Sequence, residues 1–458
     1  MGKPRHPRLS AQNRACERVL AEVLGETLVN RRPADRALAY CLKRNRQYGS
    51  RDRRFFSEAV FAVFRWWGWL RQLPDSSALR VGDNPGGDGQ DSLRLEPRQS
   101  AVLLFAAILV DHPEGALDNL SVWAETLRIP ESAWRPWSHL EQPEARFRSL
   151  ARHLDCESGD FDWRDLLPNW AWRELAEPAP PSALEKLALW LQKRPPIWLR
   201  AQGAISAEGL AKILRRHEIT AVPHPKLARV LKVEPSPVNL YTTEPFRRGM
   251  FEIQDLASQI IGLACRPQAG QRWWDACAGA GGKSLQLADL MQGRGTVVAT
   301  DIRPRKLEDL RKRARRAGFS NLSTRLWEGK GASGKPASFD GVLVDAPCTC
   351  SGTWRRNPDA RWTTARNDLE ELSQLQLKLL RAAAEGVKRG GLLVYATCSI
   401  FERENRLVVE RFLEQAPEFS LRPLAHPATG MLADGCLQVW PWEEDCDAMF
   451  VARMIRSQ

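Results

Sequence analysis

The sequence predicts an α/β protein in which a helical N-terminal region precedes a mostly parallel, doubly wound sheet. After about residue 249, apolar strand candidates alternate with helix candidates, the order that builds a parallel sheet. The first third instead repeats apolar residues at three- and four-residue spacing, as in Ala15, Val19 and Val23, which is typical of helices. We therefore predict a helical domain at 1–155, a small α/β linker module at 156–245 and the doubly wound domain at 246–458.

The elements of the C-terminal domain alternate along the chain. Its strand candidates are 272–275, 296–301, 339–345 and 391–397, and its helix candidates are 283–292, 304–317 and 369–388. The small module has a strand candidate at 197–200 and a helix candidate at 206–216. Ligands of doubly wound sheets bind beyond the carboxyl ends of the strands, so functional residues are expected there.

The balance of charge favours a polyanionic partner. The chain has 67 Lys and Arg against 55 Asp and Glu, a formal net charge of +12. Nucleic acid is the usual partner of such a chain. The longest apolar runs are too short to cross a bilayer, and ten cysteines without a secretion signal indicate reduced thiols. These features argue against a membrane or secreted protein and predict a cytoplasmic one.

The first candidate site is a glycine-rich loop between a strand and a helix, Asp275-Ala-Cys-Ala-Gly-Ala-Gly-Gly-Lys-Ser284. Glycines let backbone N–H groups approach a ligand at a helix N-terminus. A phosphate-binding P-loop needs Gly where Cys277 stands, and the dinucleotide fingerprint needs Gly where Ser284 stands. The loop therefore indicates a nucleotide-like cofactor without naming it, and the alternative is a plain tight turn.

A candidate ribose-binding acid follows on the next strand. Asp301 ends that strand, 20 residues after Gly281. An acid at this position can bind the ribose hydroxyls of S-adenosylmethionine or of NAD equally well. It can also cap the helix that begins near Pro304.

Two further strand candidates each lead to a thiol. The strand at 339–345 ends on Asp345 and is followed by Ala-Pro-Cys348, whereas the strand at 391–397 is followed by Cys398. In a doubly wound sheet both ends lie at the edge that carries the glycine loop, so an acid and two thiols should converge on the cofactor. Cys350, by contrast, is expected to be a small buried hydrophobe.

A metal site is not expected from the spacing. Cys348-Thr-Cys350 lacks the Cys-x-x-Cys pattern of zinc sites, and no His lies between His224 and His426. That gap also argues against a Cys–His nucleophilic pair. A nicotinamide dehydrogenase would leave both strand-end cysteines unexplained.

These motifs resemble the Sun (Fmu) family of bacterial RNA 5-methylcytosine methyltransferases. The similar segments are 254–259, 275–284, 345–348 with 355–359, 396–399 with Glu404-Asn405, and 447–453. The N-terminal helices, with Asp52-Arg-Arg-Phe55, are similar to the NusB-type RNA-binding domain of the ribosomal RNA branch. At Gly279 and Ala280 the loop departs from the family's usual Cys-Ala-Ala-Pro-Gly-Gly-Lys.

The resemblance implies a Rossmann-like class I S-adenosylmethionine-dependent methyltransferase domain, preceded by a helical NusB-like domain and the small α/β module. It implies that Cys398 adds to C6 of cytosine, that Cys348 assists product release and that Asp345 acts as a general acid on N3. The cofactor residues that it implies are Asp275, Cys277, Ala278, Gly279, Ala280, Gly281, Gly282, Lys283, Asp301, Glu328 and Asp345.

The partner implied by the resemblance is RNA, with 16S ribosomal RNA favoured over transfer RNA, bound by a monomer without metal. Two alternatives keep the same fold or chemistry. One is a non-catalytic RNA-binding factor of ribosome assembly. The other is a DNA cytosine methyltransferase, a class that typically uses the Pro-Cys motif alone.

Overall fold

The chain is divided into two compact units. The structure, a computed structural model, describes residues 7–73, 95–154, 156, 161–176 and 181–457. One unit comprises Met1–Lys193 with Asn357–Arg366, and the other comprises Arg194–Arg356 with Asn367–Gln458. Within the described ranges, the helices are all too short or too polar to span a membrane.

The secondary structure follows in chain order. The helices are α1 Pro7–Leu24, α2 Ala34–Arg44, α3 Ser50–Leu70, α4 Pro97–Asp111, α5 Leu117–Leu127, α6 Glu131–Ser138, α7 Pro143–His153, α8 Asn169–Ala176, α9 Pro181–Trp190, α10 Ala207–Arg215, α11 Glu244–Arg247, α12 Leu256–Cys265, α13 Gly282–Leu290, α14 Pro304–Ala317, α15 Ala360–Thr363, α16 Arg366–Ala384, α17 Arg406–Gln415 and α18 Pro441–Glu444. The strands are β1 Ile197–Ala201, β2 Ala221–Pro223, β3 Val230–Val233, β4 Phe251–Ile253, β5 Arg272–Asp275, β6 Thr296–Asp301, β7 Leu322–Leu326, β8 Phe339–Asp345, β9 Val387–Thr397, β10 Phe419–Leu421, β11 Leu424–Ala425, β12 Leu432–Ala433, β13 Cys436–Val439 and β14 Met449–Arg456.

Helix α4 lies at the centre of the helical unit. Its apolar residues surround the whole helix, and every residue from Ser100 to Val110 is buried. A helix that is apolar on all sides must be enclosed by other elements. Helices α1, α3, α5 and α7 pack against α4 and enclose it.

The segment Asn357–Arg366 belongs to this helical core, although its sequence neighbours belong to the α/β unit. Trp362 is buried and donates its indole N–H to the carbonyl of Phe64 at 2.7 Å. Arg361 is fully buried and donates to the carbonyl of Leu166 at 3.0 Å. The segment is therefore an integral part of the helical unit.

The helical unit extends beyond the boundary that the sequence predicts at 155. Residues 156–193, assigned above to the small module, lie in the helical unit and contribute α8 and α9. The rest of the module contributes β1, β2 and β3 to an antiparallel sheet of order β2-β3-β1-β4, whose edge strand β4 lies beyond the boundary predicted at 245. Helix α10 packs against this sheet, and Ser206 caps α10 by accepting the Gly209 N–H at 3.1 Å. The three-part division itself stays a prediction.

The large sheet positions the site. Its strands run in the order β10-β14-β9-β8-β5-β6-β7, with β13 paired to β14. Strands β9, β8, β5, β6 and β7 are parallel, and β14 is antiparallel to β9. The chain moves from β5 outward through β6 to β7 and then crosses to β8 and β9 on the other side. The order therefore reverses at β5, and this switch point is where doubly wound sheets bind ligands.

Candidate active site

The glycine-rich loop joins the end of β5 to α13 and requires glycine at two positions. Gly279 and Gly281 have φ of +53° and +88°, the left-handed region that glycine adopts readily. At Gly281 a Cβ would also lie 2.4 Å from Cγ of Leu310 on α14. The loop therefore lies directly against α14, and its N–H groups at the start of α13 have no intrahelical partner.

Asp275 lies beneath this loop and is fully buried. Its Oδ2 accepts a hydrogen bond from Ser284 Oγ at 2.6 Å. Among the residues that the structure describes, its Oδ1 has no hydrogen-bond partner. Burial raises the pKa of Asp275 to about 7, although the Ser284 bond opposes the shift. The base of the loop thus offers an acceptor that protein groups leave open.

Asp301 orders the glycine loop and the turn before α14, but it does not cap α14, whose N-cap residue is Arg303 without a side-chain cap. Its Oδ2 accepts the Gly279 N–H at 2.9 Å, which ties the end of β6 to the glycine loop. Its Oδ1 accepts the Arg303 N–H at 2.8 Å in the turn before α14, and the Arg303 side chain pairs with the same carboxylate. Burial alone would raise the pKa of Asp301, but the hydrogen bonds from Arg303 and Gly279 lower it. Asp301 is therefore an ionised acid that already orders the loop.

Lys283 connects the glycine loop to the end of β8. Its Nζ donates to Oδ2 of Asp345 at 2.8 Å, and the lysine side chain is almost completely buried. Burial lowers the pKa of Lys283, but the Asp345 carboxylate outweighs it and the net shift is upward. The pair holds Asp345, which is about 29% exposed, beside the cofactor loop.

The two predicted thiols meet at the ends of β8 and β9. The Sγ atoms of Cys348 and Cys398 lie 3.3 Å apart. Cys350, expected to be buried and inert, is instead exposed, and its Sγ lies within 4.8 Å of both other sulfur atoms. That prediction was wrong because Cys350 has φ of +56°, and this left-handed turn directs the chain around the cluster.

The three thiols share protons. Hydrogen bonds from Cys348 and Cys398 lower the pKa of Cys350, while the bond to Cys350 raises the pKa of Cys348. For Cys398 the bond with Cys348 lowers the pKa, but the bond with Cys350 and burial outweigh it, so that the pKa is raised overall. The three thiols therefore titrate as one coupled group.

A buried glutamate joins the two loops that carry these thiols. Glu404 is fully buried and accepts from the backbone N–H and the hydroxyl of Thr349, at 2.8 and 2.6 Å. It also accepts from Gln376 Nε2 at 3.0 Å. The hydroxyls of Ser351 and Ser399, one from each loop, lie 3.1 Å apart. The sequence places Glu404 in a motif but gives it no task, and the structure assigns it this positioning contact.

Two arginines anchor the continuation of the loop after β8. Arg355 is fully buried and donates to Asp445 at 2.9 Å. Arg356 bridges Asp447 and Asp255 at 3.1 and 3.0 Å. Burial, and then the neighbouring Asp447, raise the pKa of Asp255 to about 7. These ion pairs fix the position of the loop relative to the segment that leads into β14.

Of the remaining cofactor candidates, three lie in the glycine loop and the fourth, Glu328, follows β7. Cys277 lies half-buried in the loop, where burial raises the pKa of its thiol, and the N–H of Ala278 donates to Thr300 at 2.8 Å. The Ala280 carbonyl accepts from Arg313 at 2.7 Å. Glu328 is exposed and lies beyond the end of β7, the strand beside the one that carries Asp301. Glu328 therefore follows the end of the parallel strand next to Asp301, and its neighbour Trp327 donates its N–H to the Asp301 carbonyl at 3.4 Å.

Comparison with known proteins identifies the family. The family described as "16S rRNA methyltransferase RsmB/F" matches residues 262–455. The ribosomal RNA small subunit methyltransferase B of Salmonella paratyphi B is 31% identical over 319 residues, which cover 68% of this chain and 71% of that protein. The chain belongs to the RsmB/F methyltransferase family. The corresponding protein of Enterobacter sp. is 30% identical over 317 residues, covering 68% of this chain and 72% of that protein.

Solved structures support the fold of this RsmB/F protein. The crystal structure of PH0851 covers 96% of this chain and 99% of its own, with a TM-score of 0.72 at 24% identity. A methyltransferase homologue from Pyrococcus horikoshii covers 63% of this chain and 93% of its own, with a TM-score of 0.52 at 25% identity. The predicted class, a Rossmann-like methyltransferase domain preceded by a helical domain, is confirmed.

Family membership makes the chain an S-adenosylmethionine-dependent RNA methyltransferase, and the residues of the site fit that cofactor. The open Oδ1 of Asp275 lies at the base of the loop, and the first turn of α13 supplies free N–H donors for a carboxylate. The Asp301 carboxylate lies beside the loop at the end of β6, where ribose hydroxyls are bound in such sheets. When bound, the cofactor supplies an electrophilic methyl group at this edge of the sheet.

Proposed function

We propose that this RsmB/F enzyme methylates C5 of a cytosine in 16S ribosomal RNA through a covalent bond between Cys398 and C6. The single observation that carries the proposal is the pair of thiols at 3.3 Å beside the Lys283–Asp345 ion pair. Both cysteines follow parallel strands on the same side of β5, β8 beside β5 and β9 beside β8, so they lie at the edge of the sheet that carries the cofactor loop. The roles of the individual residues are those expected from the family resemblance.

The chemistry explains why a thiol is needed. C5 of cytosine is too weak a nucleophile to take a methyl group unaided, and addition of a thiolate to C6 makes C5 enamine-like. Protonation or hydrogen bonding at N3 accepts the electron density during this addition, and Asp345 is the acid in reach of the site. Once C5 has taken the methyl group, a general base removes the C5 proton, the C5–C6 double bond forms again and the C6–sulfur bond breaks. The Cys398 thiolate leaves in this step, and Cys348 assists the release.

An ion pair fixes the position of Asp345. Its Oδ2 is held by Lys283 at 2.8 Å, so the carboxyl group has a fixed orientation at the end of β8. The nearby ammonium also stabilises negative charge while the thiolate adds. Lys283 therefore acts as a positioning residue as well as part of the cofactor loop.

Exposed basic and aromatic side chains support an RNA partner. In the helical unit Tyr40 is 48% exposed, with the guanidinium carbons of Arg32 and Arg44 at 4.8 and 5.4 Å from its ring centroid. A ring flanked by cations can stack on a base while the cations contact phosphates. In the other unit the exposed face of α14 carries Arg311 and Lys312. These surfaces fit a polyanionic substrate, and the NusB-like character of the helical domain stays a prediction.

The direct test supplies labelled S-adenosylmethionine and bacterial RNA that lacks the modification. We expect label in 5-methylcytidine at one position of 16S ribosomal RNA, identified by nucleoside analysis and mapping. The matched controls are Cys436→Ala, which changes a half-buried cysteine on β13, and transfer RNA as substrate. Label in transfer RNA alone would show that transfer RNA, and not 16S ribosomal RNA, is the substrate. Intact cofactor binding without label in any RNA would favour a non-catalytic assembly factor.

A further inference from the structure

The proposed methylation uses two thiols, but the structure brings three together. The three-thiol cluster consists of Cys348, Cys350 and Cys398, whose sulfur atoms all lie within 4.8 Å of one another. Spacing in the sequence hides this arrangement, because Cys398 comes from a different strand. Cys350 is exposed, so the cluster is open to ions from solvent on one side.

The dimensions of the cluster suit a thiophilic cation. Zinc–sulfur bonds are about 2.3 Å long, so three thiolates around one ion have sulfur atoms separated by about 4 Å. The sulfur atoms of Cys348 and Cys398 are 3.3 Å apart, and no two of the three are more than 4.8 Å apart, which brackets that value. Small side-chain rotations would equalise the distances. Among the described residues the group has three ligands, and three thiolates match a Cu⁺ site or a Zn²⁺ site completed by water.

The surroundings of the cluster hold its loops in place. The loops are fixed by Glu404, so little ordering is needed when an ion binds.

We propose that the three-thiol cluster binds one thiophilic cation, Zn²⁺ or Cu⁺, and that its occupancy blocks methyl transfer by engaging the Cys398 sulfur. Three metal–sulfur bonds form, and the protons still held by the thiols leave to solvent. No sulfur or metal changes its oxidation state. The binding claim stands on geometry alone, whereas the inhibition claim rests on the proposed function of Cys398.

Binding is tested on the full chain, stripped by a chelator and kept reduced with a phosphine. Titrations use Zn²⁺ against a chromophoric competitor, Cu⁺ under anaerobic conditions, and Cd²⁺ for its thiolate charge-transfer absorbance. We expect one equivalent to bind with charge-transfer absorbance and proton release. Cys350→Ala and Cys350→Gly should bind at least tenfold more weakly, whereas Cys436→Ala should bind like the wild type. The glycine variant suits the left-handed backbone at this position, so it separates ligand loss from misfolding.

Unchanged affinity in both Cys350 variants, or the lack of thiolate charge transfer in the wild type, would overturn the binding claim. A separate arm measures methyl transfer with one equivalent of Zn²⁺ or Cu⁺, before and after addition of a chelator. We expect reversible inhibition of the wild type and at least tenfold less sensitivity in Cys350→Gly. Binding without inhibition would contradict only the blocking role, and a failure to methylate cytosine would leave the binding result intact. The relative affinities of the two ions identify the metal.

Discussion

The glycine loop after β5 and the thiol-bearing loops after β8 and β9 lie at one edge of the sheet but are built differently. The glycine loop is held by backbone conformation and by the carboxylate of Asp301, which already accepts the Gly279 N–H. The thiol loops are held by buried side chains, chiefly Glu404, and present sulfur atoms that are still mostly protonated. The cofactor side is therefore pre-organised, whereas the thiol side must be activated.

The largest effect is expected in the thiol-bearing loops, from loss of the Cys398 sulfur. Cys398→Ala removes the nucleophile and should reduce methyl transfer by at least about a thousandfold. Cofactor affinity should stay within about twofold, because the glycine loop does not depend on this sulfur. Steady-state kinetics and calorimetric titration of the cofactor measure the two effects. Retained activity would overturn the role of Cys398, and Cys436→Ala controls for the loss of a half-buried thiol.

Gly281→Ala tests whether the glycine loop is pre-organised to bind the cofactor. A Cβ at this position meets Leu310 at 2.4 Å and must adopt φ of +88°. We expect cofactor affinity to fall by roughly 10- to 100-fold and stability to fall by about 1–3 kcal/mol. Gly270→Ala is the matched control, since it has the same φ of +88° but nothing within 4 Å of the added Cβ. Equal losses in both variants would show that backbone strain, not the approach of α14, limits the site.

Glu404→Gln tests the buried contact that joins the two thiol-bearing loops. The amide keeps the shape but weakens the charge-assisted bonds to Thr349. We expect kcat to fall by about tenfold with little change in cofactor affinity, because the sulfur atoms lose their fixed separation. Glu402→Gln, at an exposed position nearby, should behave like the wild type. A loss of cofactor affinity equal to the loss of kcat would show that Glu404 stabilises the domain as a whole and does not position the sulfur atoms specifically.

The last prediction concerns the pH dependence of the thiol side. The hydrogen bond with Cys348 lowers the pKa of Cys398, but the bond with Cys350 and burial raise it overall. A thiol with a raised pKa is protonated at neutral pH, so kcat/KM should rise by up to about tenfold per pH unit above pH 7. Cys350→Gly should shift this rise to lower pH. A flat profile in both proteins would contradict the need for activation.

Much of the fold could be predicted from sequence because the buried strands are apolar runs. Strands β5, β6 and β8 begin and end at the predicted residues, whereas the predicted 391–397 is only the end of β9. Strand β7 gave no such signal, since Leu322–Leu326 is short and largely half-exposed or exposed. Arg361 and Trp362 lie among α/β elements in the sequence, so nothing local indicated that they belong to the helical core.

The site was predictable as far as strand ends determine it. Asp345, Cys348 and Cys398 are each fixed by the end of a parallel strand, and the structure brings them to one edge. Cys350 is placed by a left-handed turn, and Glu404 by contacts with a distant loop. Neither position follows from periodicity, because both depend on how two loops meet.

The central claim, a covalent bond between Cys398 and the target base, is tested most directly by incubating Cys348→Ala with substrate RNA and S-adenosylmethionine. If Cys348 assists release, a covalent protein–RNA complex should accumulate and persist as a shifted band in a denaturing gel. The band should disappear when Cys398→Ala is added to the same variant. A band that persists in the double variant, or no band while the wild type methylates the same RNA, would contradict the account.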